Sequence, residues 1–147
     1  MIVEGPYVKH SIFSWVVLLI GCIAISFQSN AAELPPSINN VETKRVGDHL
    51  IRLIRYNMEL EPIIEIEVLT TPSVRVVNKM TIRGIDADGE HLDFGDSDGT
   101  FVESAQIVRD GVDFAVEYFY SRGGSSIFEC HVPVNGGQIG MPKCVSQ

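Results

Sequence analysis

Three groups of residues are of types and spacings that could do chemistry. The first is acidic: Asp86, Asp88, Glu90, Asp93, Asp96 and Asp98 fall within thirteen positions with no lysine or arginine among them. Carboxylates and backbone carbonyls are what a calcium ion takes, six to eight oxygens at a time. Set against the helix-loop-helix calcium pattern, Asp96, Asp98 and Gly99 would be the third, fifth and sixth loop positions. Phe94 then stands at the first position and Ala105 at the twelfth, where carboxylates are needed, so that pattern fails. Asp86, Asp88, Asp93, Asp96 and Asp98 stay as candidates for an irregular calcium site, and two-residue hairpin turns at Asp88-Gly89 and Asp98-Gly99 account for much of the stretch without a ligand. The second group, His49, His91 and His131, shows no metal-ligand spacing and reads as surface histidine. The third is the set of three cysteines, Cys22, Cys130 and Cys144, an odd number that leaves one sulfur unpaired in an oxidising compartment. No nucleophile elbow, phosphate loop or isolated carboxylate pair stands out, so no catalytic residue is assigned.

The segment around Cys22 decides how the others are counted. Lys9 is followed by an uncharged stretch from Ser11 to Ala32 with the apolar run Val16-Val17-Leu18-Leu19-Ile20 at its centre. A basic residue before an apolar region of roughly 7–15 residues marks an export signal. Leu19-Ile20-Gly21-Cys22 resembles the lipobox of bacterial lipoproteins: a branched apolar residue, a tolerant position, a small residue and the cysteine. The resemblance covers those four positions and the run before them. It implies that the Cys22 thiol takes a diacylglyceryl group, that the chain is cut before it, and that the new amino terminus is acylated. Each buried methylene contributes about 0.8 kcal/mol, so two or three chains hold a protein on a membrane where one would not. Two other fates compete: cleavage after Ser29-Asn30-Ala31, and retention as an anchor, weakened by Gln28, Ser29 and Asn30. All three put the body of the protein outside the cytoplasm. With Cys22 lipidated, Cys130 and Cys144 are left to pair as a disulfide; two buried free thiols are the alternative. No further cofactor is expected.

The organisation expected is a signal over 1–21, a lipidated tether over 22–40 containing Pro35-Pro36, and a β-rich periplasmic domain over 41–147. Little more than a hundred residues suffice for one core and not for two. The net charge of −8 excludes nucleic acid as a partner, which demands clustered lysine and arginine.

Alternating residues dominate the domain and predict an all-β fold, or a β-rich α+β one, built as a small antiparallel sandwich or partly closed barrel. Asp48 to Tyr56 fits a helix or a strand buried on both faces, and the strand is preferred. From Met58 to Leu69, Met58, Leu60, Ile64, Ile66 and Val68 fall on one face and Glu59, Glu61, Glu65 and Glu67 on the other, which predicts a solvated acidic face. A hairpin pairing Val68 with Val74 and Ile66 with Val76 would set Glu67 across from Arg75 and Glu59 across from Arg83. Phe101, Glu103, Ala105 and Ile107 share one face, and a turn at Asp110-Gly111 sets Ile107 opposite Phe114 and Ala105 opposite Val116. Ser121 to Ser125 turns into a last strand that Pro133 ends, with Asn135-Gly136-Gly137 opening the loop to Cys144. Tyr118, Phe119, Tyr120 and Phe128 form an aromatic-rich hairpin of core or binding-face character.

Function on these grounds is expected to be non-enzymatic: an envelope lipoprotein, membrane-held through its lipid, that binds another protein, inhibits or neutralises one, or helps assemble the envelope. Ile23 in place of the aspartate associated with inner-membrane retention points to the outer membrane. Overproduction is expected to load the export route and provoke envelope stress. The alternatives are a periplasmic enzyme acting on envelope polymers through acids between Asp86 and Asp98, and a calcium-stabilised module.

Overall fold

The computed structural model describes residues 37–147; residues 1–36, with Cys22 and most of the expected tether, lie outside the described residues. Eleven strands and one turn of 3-10 helix make up the described chain, an all-β fold. The strands are β1 (Ile38–Val46), β2 (His49–Tyr56), β3 (Ile64–Leu69), β4 (Val76–Ile82), β5 (Gly84–Ala87), β6 (Glu90–Asp93), β7 (Gly99–Ile107), β8 (Gly111–Phe119), β9 (Ser125–Asn135), β10 (Gln138–Ile139) and β11 (Lys143–Ser146). β1 starts at Ile38, so the last residues assigned to the tether already pair in a sheet.

One sheet runs β1-β2-β3-β4, a second β7-β8-β9 with β10 and β11 both on the far side of β9, and β5-β6 is a separate hairpin. The two larger sheets face each other across one core. Ile51, Leu53, Ile64, Ile66, Val68 and Ile82 come from the first sheet, and Ile107, Val112, Phe114, Val116, Phe128, Cys130 and Val132 from the second. Ile85, Leu92 and Phe94 from the small hairpin join the same cluster. The seams are closed by side chains: Lys44 Nζ donates to the Ile107 carbonyl at 2.9 Å on one side, and Asn78 Nδ2 to the Gly137 carbonyl at 3.3 Å on the other. The result is a partly closed sandwich.

Of the ambiguous segment, His49 to Tyr56 is strand, with Ile51 and Leu53 facing inward, and Asp48 lies in the turn before it. Asp88 and Gly89 take φ of +53° and +84°, the left-handed pair a two-residue hairpin between β5 and β6 requires. Asp98-Gly99 is not such a turn: a 3-10 turn over Phe94–Asp96 makes the reversal and Gly99 already pairs with Phe119.

The β3–β4 register is four residues away from the expected one. Ile66 faces Met80 and Glu67 faces Lys79, because the connection runs from Thr70 to Arg75, closed by the Thr70 N–H donating to the Arg75 carbonyl at 2.9 Å. Met58 to Leu60 form a turn instead of extending β3. The acidic face is not solvated either. Glu65 and Glu67 are only 5% and 8% exposed, because β3 is central and long cations from its neighbours lie over it. Arg52 Nη1 meets Glu67 Oε2 at 3.0 Å and Lys79 Nζ meets Glu65 Oε1 at 2.8 Å. Buried carboxylates need such partners, since an unpaired one would be expelled or neutralised.

In β7 a bulge between Val102 and Ser104 inserts one residue, which turns Phe101 outward while Ala105 and Ile107 stay inward. The β7–β8 pairing is Ala105 with Phe114 and Ile107 with Val112, two residues from the expected register, because the chain reverses over 108–110, where the Val108 N–H donates to the Gly111 carbonyl at 3.0 Å, and Gly111 is already in β8. Pro133 does not end its strand; β9 continues to Asn135. The Pro133 carbonyl accepts from Gly140 N–H and the next amide, Val134, donates to the Asp110 carbonyl, so the ladder passes around the missing N–H.

Three protons are held more tightly in the fold than in the open chain. The hydrogen bond to Glu65 raises the Lys79 ammonium, while burial and then the charge of Glu65 raise the Tyr56 hydroxyl. Burial, then Asp96, raises Tyr118. A raised folded-state pKa contributes stability that is complete below the unfolded value, about 10 for these groups, and is lost as pH climbs through the folded one. The urea midpoint is therefore expected to fall steadily from about pH 9.5 upward, and Tyr118→Phe to flatten part of that slope. A midpoint independent of pH between about 9 and 11.5 contradicts the assignment.

Candidate functional site

The outer side of the second sheet carries the most organised surface. In a strand alternate residues face opposite sides, so the buried series Val112, Phe114, Val116, Tyr118 on β8 and Phe128, Cys130, Val132 on β9 leaves the intervening residues facing out. Strand register aligns these into rows across four strands. One row is Gln106, Asp113, His131, Lys143; the next is Ser104, Ala115, Glu129, Val145. A third brings Phe101, Glu117 and Ile127 into line.

Ala115 is the small residue at the centre, and the longer side chains around it leave a recess of about 420 Å³ bounded by Ser104, Asp113, Glu129, His131, Lys143 and Val145. Polar pairs occur in every row. His131 Nδ1 lies 2.6 Å from Asp113 Oδ1 and His131 Nε2 lies 3.9 Å from Asp110 Oδ2. Ser125 Oγ donates to Glu117 Oε1 at 2.7 Å, and the Gln147 amide donates to Glu129. Apolar side chains stand among these in the same rows: Phe101, Ile127 and Val145 are 45%, 37% and 61% exposed, and Phe101 stacks edge-on against Phe119 at 5.7 Å between ring centres. Charged and apolar groups thus alternate over one nearly flat face with a dent in the middle.

Cys130 and Cys144 stand directly opposite each other on β9 and β11 with their sulfurs joined, and this bond fixes the strand that supplies Lys143 and Val145 to the face. His131, next to Cys130, points away from it into the outer rows. Cys22 lies outside the described residues.

The acidic candidates are dispersed. Asp86 Oδ1 is engaged by His91 Nδ1 at 2.7 Å, Asp93 Oδ1 accepts from the Gly95 N–H at 2.7 Å as the cap of the 3-10 turn, and Asp88 sits in the β5–β6 turn. Asp93 and Asp96 border one recess of about 620 Å³ with Tyr118, Tyr120 and Arg122, while Asp98 borders another. Among the described residues no three of histidine, cysteine, aspartate or glutamate are grouped as a metal site. Among them, too, no helix is long and apolar enough to cross a membrane.

The outer rows escape a strand-by-strand reading of the sequence because they are made by register between four strands. Their signal was the odd-numbered series Asp113, Ala115, Glu117, Phe119 and Ile127, Glu129, His131, which alternates with the core. Comparison with protein-family models, with curated proteins and with solved structures gives no match.

Proposed function

We propose that this chain is an exported lipoprotein, held at the cell envelope through acyl groups on Cys22, whose domain binds another protein and catalyses nothing. The observation that supports binding is the face around Ala115. Its exposed phenylalanine, isoleucine and valine would be a cost in a surface meant only for water, and its ring of paired charges resembles the polar rim that surrounds the apolar centre of protein interfaces. The partner it suits is a folded protein with an apolar protrusion to enter the recess, and rim groups able to meet Asp113, His131, Glu129 and Lys143. Export supports the disulfide, and the disulfide holds one edge of the face. The outer membrane is the address that Ile23 favours.

Two measurements test the halves separately. The intact mass of the mature chain is expected to begin at Cys22 with added acyl mass, and Cys22→Ala to release the chain from membranes. A photo-crosslinking residue at Ile127 is expected to trap one envelope protein in living cells. Ala115→Arg fills the recess and should reduce that adduct by about tenfold, since a central interface position is worth ~1.4 kcal/mol or more. Val77→Arg, on the outer side of the other sheet, should leave it intact. Equal crosslinking in the Ala115→Arg chain would remove the face from consideration whatever the mass shows.

A further inference from the structure

The tip of the first sheet carries apolar side chains that the core does not take up. The β3–β4 connection is held in shape by the Thr70 N–H on the Arg75 carbonyl at 2.9 Å, with the Thr70 and Ser73 hydroxyls 3.3 Å apart. Within it Val74 takes φ of +48°, a left-handed backbone that glycine or asparagine adopts at less cost than a β-branched residue. Burial does not offset that cost, since Val74, Val76 and Val77 are 53%, 46% and 54% exposed. The bulge in β4 makes Val77 the extra residue beside the pair Leu69–Val76, so two adjacent valines stand where a regular ladder has one. A loop fixed by hydrogen bonds thus holds three branched apolar side chains outward, at a cost to the fold.

The charges around these valines say what they meet. Register continues the row from Val76 through Leu69 and Leu50 to Arg45, and Arg75 lies between Val74 and Val76 in the chain. Both arginines are exposed, and among the described residues neither is in an ion pair. The carboxylates Glu65 and Glu67 on the same side of the sheet are already covered by Lys79 and Arg52. The chain is also lopsided: residues 37–83 hold seven lysines and arginines against six acids, and residues 84–147 hold three against eleven. A second copy of the chain would set these arginines against each other. The tip is a protrusion, bordering none of the recesses described above, and a fluid lipid surface needs no matching pocket. We propose that the Val74–Val77 tip seats in an anionic bilayer surface. The valines enter between the head groups, while Arg45 and Arg75 lay their stems along apolar ground and meet lipid phosphates with their guanidinium heads. The tip belongs to the first sheet and the rows around Ala115 to the outer side of the second, so a seated domain keeps that face and its acidic half turned away from the lipid. The inference rests on the envelope address proposed above, and its test supplies the attachment chemically so that the two can fail separately.

The full chain, with its disulfide intact, is coupled through the Cys22 thiol to maleimide lipid in vesicles of phosphatidylglycerol and phosphatidylethanolamine. Trp15 is the chain's one tryptophan, so in a Trp15→Phe background Val76→Trp reports alone. Brominated acyl chains should quench it. Val145→Trp, at an exposed valine of the other sheet, should stay as bright as in bromine-free vesicles. Arg45→Glu with Arg75→Glu should lower the docked-to-undocked ratio read from the quenching by about fivefold or more, and vesicles of phosphatidylcholine alone should do the same. These positions are exposed, so the variants are expected to melt with the parent. Equal quenching at the two tryptophan positions, no quenching in Val76→Trp, or quenching indifferent to both arginines would each overturn the seating. A photo-crosslinking residue at Val74 that traps an envelope protein in cells, and no lipid, would overturn it too and assign the tip to a protein. None of these readings depends on whether Cys22 is acylated in the cell, which the intact mass reports.

Discussion

Gly111→Ala is expected to destabilise the domain by about 3 kcal/mol or more, at the upper end of what overpacking costs, and to do so without touching a functional group. A Cβ at this position would sit 2.0 Å from the Val132 carbonyl oxygen and 3.0 Å from Pro133 Cα. Both are backbone atoms of β9, which cannot swing aside as a side chain would. Strand β8 would have to lift from β9 at Gly111–Pro133, the first pair of the ladder that joins the two central strands of the second sheet. The contrast is Gly89→Ala. There φ is +84° and nothing lies within 4 Å, so only the left-handed backbone is penalised, by about 1–2 kcal/mol. Denaturant midpoints of the two variants measure the difference. If Gly111→Ala cost no more than Gly89→Ala, the close approach of β8 and β9 would be wrong.

Breaking the bond between Cys130 and Cys144 should lower the melting temperature on the order of 10–20 °C. The sulfurs close a loop with a sequence separation of 14, and a loop of this length contributes roughly 3 kcal/mol in the chain-entropy account. In a domain of about a hundred residues each kcal/mol is worth about 4–8 °C. β11 has little else to hold it. It is four residues long, Lys143, Val145 and Ser146 are exposed, and only Cys144 packs toward the core. Melting with and without reductant, and in Cys130→Ser with Cys144→Ser, should agree. Hydrogen exchange should show amides of 143–146 losing protection first while β8 keeps its own. Reduction would also take Lys143 and Val145 from the outer rows, so the crosslink from Ile127 should fade with it. A melting temperature indifferent to reductant would show β11 held by its ladder alone.

The elements themselves were readable from alternation and from turn chemistry. Asp88-Gly89 named its hairpin, Ser121 to Ser125 its reversal, and Val112 to Tyr118 its buried face. What alternation could not give was register. Pairing β3 with β4 depends on how many residues the Thr70–Arg75 connection consumes, and Val74, a branched residue with φ of +48°, gives no sign of that role. The β7 bulge is equally silent, yet it sends Phe101 to the outside. Gly111 read as a turn glycine because it follows aspartate; its real constraint is a neighbour more than twenty residues away. Glu65 and Glu67 read as solvated because their period is that of an exposed face, and only the centrality of β3 buries them. The candidate face around Ala115 was illegible for the same reason as the register, since rows across strands are a product of it.

β1 is an edge strand, and among the described residues the Lys44 ammonium is the only side chain of β1 hydrogen-bonded to the second sheet. It is also the strand into which the amino-terminal segment leads. Ile38 lies beside Tyr56 at the open end of the β1–β2 hairpin, so a pull on the segment meets the backbone rungs singly, as a zip, and never as a shear of all of them together. Tension drawn through the amino terminus would peel away one ribbon at low force. It would spare β8 and β9, leaving the rows they carry in place while slack is paid out.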